Sequence, residues 1–270
     1  MGALVAEPDR SPLTLFQGNM SFSIDISEEA GVRYLHFGTR WIQGAMRIAR
    51  PWNLELEYTK EMMASLLLRD DKRFPRKVLL IGLGCASLTK FIYRNLPLAH
   101  ITVVEIEPLV VEAAKTYFKL PDDDKRIHMV IDDGAKYVME TNKKFDLILV
   151  DGFNDRAHPG DLNTLPFYQV CRNRLTDQGV LGVNLIGLSR GVEGGFAYIR
   201  QAFDDRALKF PSCESGNVIA FATAGDEIAI DLEDMKEHAI ELKENTGLNL
   251  LPTITRLEQA QTCAGGILKI

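Results

Sequence analysis

Cysteine is scarce: the 270 residues hold four, Cys85, Cys171, Cys213 and Cys263, spaced too widely to form a CxxC pair. That spacing argues against a zinc site or a disulfide framework and reads as reduced, mostly buried thiols. No run of about 18 apolar residues occurs, so no segment reads as a membrane span. Residues Met1 to Arg10 lack the basic-then-apolar order of a secretory signal, and the cytoplasm is the expected compartment. Positive charge is short as well, with 31 Lys and Arg against 37 Asp and Glu, a formal net charge of −6. Nucleic acid wants a basic face, so it is not an expected partner. A cationic small molecule suits such a field better. The five histidines, His36, His100, His128, His158 and His238, are dispersed without metal-ligand spacing, and no metal site is expected.

What is present divides the chain in two. Residues 1–20 carry Pro8, Pro12 and Gly18 with no period and read as a loose arm. From Phe22, alternation over Phe22–Ile26 and Val32–Phe37, broken by a turn at Gly31, predicts a hairpin. Trp41–Gln43 and Ala45–Ile48 extend that antiparallel sheet, and Leu56–Leu68 predicts a connecting helix. The polar, proline-broken stretch Asp70–Arg76 marks the boundary between a β-rich unit, residues 1–68, and an α/β unit, residues 69–270. In the second unit the apolar runs Val78–Ile81, Ile101–Glu105, Ile127–Ile131, Phe145–Val150 and Val180–Leu185 alternate with helical stretches near 87–96, 108–118, 134–141 and 163–176. Such alternation predicts a mostly parallel sheet covered on both faces. A helix near 193–204, a strand at Asn217–Ala222 and a helix at 231–245 follow.

The chemistry is expected at the carboxyl ends of these strands, where open α/β sheets bind ligands. The first strand runs into Gly82-Leu83-Gly84-Cys85-Ala86-Ser87, a glycine turn that lets backbone approach a ligand at a helix start. The third small residue is not the glycine of the dinucleotide spacing, which favours a nucleoside. Glu105 ends the second strand, 21 residues after Gly84, and is placed to accept from ribose hydroxyls; a solvated strand-end acid is the plain alternative. Asp132-Asp133-Gly134 follows the third strand. One carboxylate there suits an exocyclic adenine amine, and a helix N-cap is the competing role. Asp151 follows the fourth strand, where a carboxylate takes a proton from an attacking amine or merely braces the loop.

In this order the residues resemble the spermidine synthases over almost the whole chain. Leu35–Gln43 resembles the family's strand–turn–strand ending in a nucleoside-contacting Gln, here Gln43, and Glu57–Met62 is similar to its Tyr-His-Glu-Met segment. The resemblance implies a class I methyltransferase-like, Rossmann-type α/β domain behind a small antiparallel β domain. Gln43, Gly82, Gly84, Glu105, Asp133 and Gly134 would hold the nucleoside. Tyr58, Asn154 and Asp155 would contact the amine, and Asp151 would accept its proton. The implied activity moves an aminopropyl group from decarboxylated S-adenosylmethionine, a co-substrate and not a resident cofactor, to a small amine. The implied assembly is a homodimer. Departures cluster in the amine site: Cys85 replaces an acid, Thr59 a histidine, Asn154 an acid and Cys213 a tyrosine. An unpaired buried ammonium is costly. A methyltransferase using intact S-adenosylmethionine and a non-catalytic nucleoside-binding homologue therefore stand beside the leading reading.

Overall fold

The computed structural model describes residues 14–17, 23–71, 73–153, 158–186, 189–212, 216–260 and 262–270. Strands β1 (Thr14–Gln17), β2 (Ser23–Glu29), β3 (Val32–His36) and β4 (Ile42–Arg47) form an antiparallel sheet in sequential order. Thr14–Gln17 was expected within a loose arm; it instead pairs antiparallel with β2, Thr14 opposite Ile26. Four residues show no period to read, and the strand exists because β2 offers a free edge.

Helix α1 (Glu57–Met62) continues into a 3-10 segment at Met63–Leu68. The expected single helix therefore tightens midway, where Met62, Met63, Ala64, Ser65, Leu67 and Leu68 are all buried. Both α1 and this segment pack on the second sheet, against β9 (Leu175–Ile186), and α1 also meets β11 (Asn217–Thr223).

The remaining strands are β5 (Lys77–Ile81), β6 (His100–Glu105), β7 (Ile127–Ile131), β8 (Phe145–Val150) and β10 (Ala207–Lys209). With β9 and β11 they form a seven-stranded sheet in the order β10-β11-β9-β8-β5-β6-β7. Pairings from β7 through β9 are parallel, and β11 and β10 add antiparallel at one edge. Helices α2 (Ser87–Asn95), α3 (Pro108–Tyr117), α4 (Gly134–Glu140), α5 (Leu165–Arg174) and α6 (Ser189–Ala202) connect the strands. Two-residue alternation sends Val78 and Leu80 to one face and Leu79 and Ile81 to the other. The first face shares a core with Ile24, Ile26, Leu35 and Met46 of the small sheet, so one continuous apolar body joins both sheets. Each such side chain stabilises the fold by about 1.5–3 kcal/mol when fully buried.

Behind β12 (Ala229–Asp231) the chain adds α7 (Leu232–Thr246), α8 (Leu251–Gln259) and β13 (Ile267–Lys269), which pairs with β12. Arg256 of α8 makes an ion pair with Glu61 of α1, whose side chain is 1% exposed, and so ties this tail to the elements beneath the cleft. No helix among the described residues is long and apolar enough to cross a membrane.

Candidate active site

At the carboxyl ends of β5 and β8 the backbone closes a tight seam. Asp151 N–H donates to the Ile81 carbonyl at 2.8 Å. A Cβ on Gly82, whose φ is +95°, would lie 2.3 Å from the Asp151 carbonyl oxygen. Only glycine fits both the conformation and the approach. The small sheet leans on the same turn: a Cβ on Gly44 would meet Cys85 Sγ at 2.7 Å, and the Cys85 thiol donates to the Ala45 carbonyl at 3.4 Å. Gln43, Tyr58, Gly82, Gly84, Cys85 and Asp151 consequently line one cleft between the two sheets.

Glu105 is 8% exposed and fixed by backbone. Its Oε2 accepts from Leu83 N–H at 2.9 Å and its Oε1 from Glu107 N–H at 3.0 Å. Burial raises its pKa, and these backbone donors oppose the rise. A third backbone donor, Ile106 N–H, also opposes the rise, and the carboxylate keeps acceptor capacity for a ligand. Asp133 caps α4, its Oδ1 accepting from Lys136 N–H at 2.9 Å, while Asp132 pairs with the Lys136 ammonium. Gly134, the first residue of that helix, lies against Ile81 and Leu162. Ile106, beside Glu105, is 59% exposed, an apolar side chain at the strand end that the sequence reading did not single out. Leu162, in the short 3-10 segment Gly160–Asn163, carries no sequence signal of its own, yet it packs on both Gly134 and Gly152.

Asp151 is half-buried, and both of its oxygens are held by side chains. Tyr58 Oη donates to Oδ2 at 3.2 Å, and Asn184 Nδ2 donates to Oδ1 at 2.9 Å. Burial pushes the Asp151 carboxyl up to about 6, with the two donors holding it lower than burial alone would. The Tyr58 hydroxyl is raised well above its ordinary value by burial and by the neighbouring Asp151. Tyr58, expected at the amine, thus bonds the carboxylate that would take the amine's proton. Burial also raises the Cys85 thiol, so a neutral thiol lines the wall where the resemblance expects an acid. Asn154 and Asp155, expected at the amine, lie outside the described residues, as does Cys213.

A glycine turn, a strand-end acid and an Asp-Gly helix start on successive parallel strands define a class I methyltransferase-like domain, here preceded by an antiparallel sheet. Residues 56–184 match the spermine/spermidine synthase domain. The polyamine aminopropyltransferase of Chromobacterium violaceum is 33% identical over 246 residues, covering 91% of this chain and 93% of that one. The chain belongs to the polyamine aminopropyltransferase family, a family of transferases. Among solved structures, a probable spermidine synthase from Corynebacterium glutamicum superimposes with a TM-score of 0.73 at 15% identity, over 95% of each chain, a likeness of fold. Human methyltransferase-like protein 13, in complex with SAH, matches with a TM-score of 0.59 at 26% identity, covering 78% of this chain and 95% of that one.

Proposed function

We propose that the protein transfers the aminopropyl group of decarboxylated S-adenosylmethionine to a small amine. The observation that carries this reading is the Asp151 carboxylate on the cleft wall beside the glycine turn, held by Tyr58 and Asn184, with burial pushing it up to about 6. A base with a pKa near 6 is ionised at neutral pH and still basic enough to assist deprotonation of an attacking amine. The amine nitrogen attacks the methylene beside the sulfonium, the carbon–sulfur bond breaks, methylthioadenosine leaves, and the amine proton passes to Asp151. No metal is required, since the sulfonium is already a good leaving group and placement supplies most of the acceleration.

In the same proposal Glu105 accepts from the ribose hydroxyls through its remaining acceptor capacity. Asp133 and Gly134 meet the adenine edge, with Ile106 and Leu162 offering apolar surface to the ring. Gln43 closes the nucleoside site, and Tyr58, Asn154 and Asp155 border the amine. We further infer a cytoplasmic homodimer without nucleic-acid partners, checked by light scattering in solution. The test of function is methylthioadenosine release from decarboxylated S-adenosylmethionine with putrescine, cadaverine and spermidine offered in turn. Release that depends on the amine and is abolished by Asp151→Asn supports the reading; no release with any of the three overturns it.

A second reading is favoured by one observation. The neutral, buried Cys85 thiol offers an aminopropyl ammonium no counter-charge and does not repel a carboxylate. Intact S-adenosylmethionine with methyl transfer fits that wall. Calorimetry of the two nucleosides side by side separates the readings.

A further inference from the structure

Asn184 stands in a buried, mostly apolar stretch of the large sheet, Val180–Ile186, between Val183 and Leu185 and opposite Ile219 of β11. It is 3% exposed. Its Nδ2 donates to Asp151 Oδ1 at 2.9 Å, while its Oδ1, buried, finds no hydrogen-bond partner among the described residues. The orientation of the amide is not free. An ionised carboxylate accepts only, so the NH2 group must face Asp151 and the carbonyl must turn away. A leucine of similar size would satisfy the core without an orphaned acceptor, and buried polar atoms left unpaired are destabilising. The fold therefore gains nothing from an amide here; Asp151 does. Local rules are broken in this manner chiefly at functional sites.

We propose that Asn184 is a positioning residue for the transfer reaction, holding the Asp151 carboxylate in its ionised form and in one orientation through the Nδ2–Oδ1 bond. This inference rests on Asp151 being the proton acceptor. Tyr58 on α1 fixes the other oxygen, so the two donors, from elements 93 and 33 residues away in sequence, set the carboxylate plane. The other groups around the cleft leave the assignment intact. Among the described residues, Tyr58 and Cys85 are the titratable side chains lining the cleft with Asp151, and burial raises both. Farther along α1, Glu61 is paired with Arg256, and on α2 the Lys90 ammonium donates to the Phe118 carbonyl at 2.7 Å.

The experiment is carboxyl NMR of the full chain with isotope-labelled aspartate, the Asp151 signal being assigned by its loss in Asp151→Asn. In Asn184→Leu, losing a donor to the charged form raises the titration midpoint of Asp151 by about 1 to 2 pH units. The acid limb of kcat/KM moves up by the same amount, and the melting temperature stays at or above wild type. Asn184→Asp, nearly isosteric, serves should the leucine variant not fold; two adjacent carboxylates share a proton, and the midpoint rises further. A folded variant of either kind with an unmoved midpoint overturns the proposal. Because the midpoint is read without turnover, it is distinguishable from failure of the transfer assay itself.

Discussion

The two ends of the cleft are built by different means. At the β6 end, Glu105 is held by backbone N–H groups of Leu83 and Glu107, and Asp133 by the backbone of α4. At the β8 end, Asp151 is held by two side chains, Tyr58 from α1 and Asn184 from β9. Backbone-held carboxylates depend on the turn and tolerate change around them. A side-chain-held carboxylate can be retuned by one substitution. Among the described residues, Cys85 and Thr59, where the resemblance expects an acid and a histidine, line the cleft with Asp151, while Glu105 and Asp133 at the other end are the acids that the resemblance expects.

The largest effect that tests this contrast is on rate. Asp151→Asn removes the proton acceptor, and kcat for methylthioadenosine release falls by about 10²- to 10⁴-fold, while methylthioadenosine affinity measured by calorimetry is nearly unchanged. A drop in affinity equal to the drop in kcat would merge the two ends into one. Glu105→Ala gives the opposite pattern. Calorimetry shows methylthioadenosine binding weakened by about 1–3 kcal/mol, the scale of hydrogen bonds to a charged group. Unchanged affinity in that variant removes the ribose assignment. Gly44→Ala probes the seam between the sheets, since the added methyl meets Cys85 Sγ at 2.7 Å and Cys85 N at 3.1 Å. Thermal melts should show a loss of about 1–3 kcal/mol, as for other overpacked sites.

The smallest effect is a pH dependence of stability. Folding raises the Asp151 carboxyl from its ordinary range to about 6, so between about pH 4 and 6 the folded state binds more protons than the unfolded one. The contribution of this group therefore falls as pH rises through that window. Asp151→Asn, which carries no charge to desolvate, should melt above wild type at about pH 8 and converge with it near pH 4. Melting curves that run parallel across the range would mean that Asp151 is not held in a desolvated site.

Much of the geometry at the β6 end was legible in the sequence because each of its parts is local. A glycine turn, a strand-end acid and an Asp-Gly helix start lie next to the strands that present them. Asn184 was not legible, since the run Val180–Ile186 reads as plain core strand, and only the β8–β9 register brings Asn184 beside Asp151. Likewise, β10 and β12 span three residues each, too short for a two-residue period to register. The tail did carry a signal, Leu250, Ile254 and Leu257 at helical spacing and all fully buried.

Aminopropyl transfer is tested most directly by the products formed from decarboxylated S-adenosylmethionine and an amine. Mass spectrometry of the reaction should show methylthioadenosine and the N-aminopropylated amine appearing in equal amounts. Their absence, with intact S-adenosylmethionine instead yielding S-adenosylhomocysteine and a methylated acceptor, would contradict it.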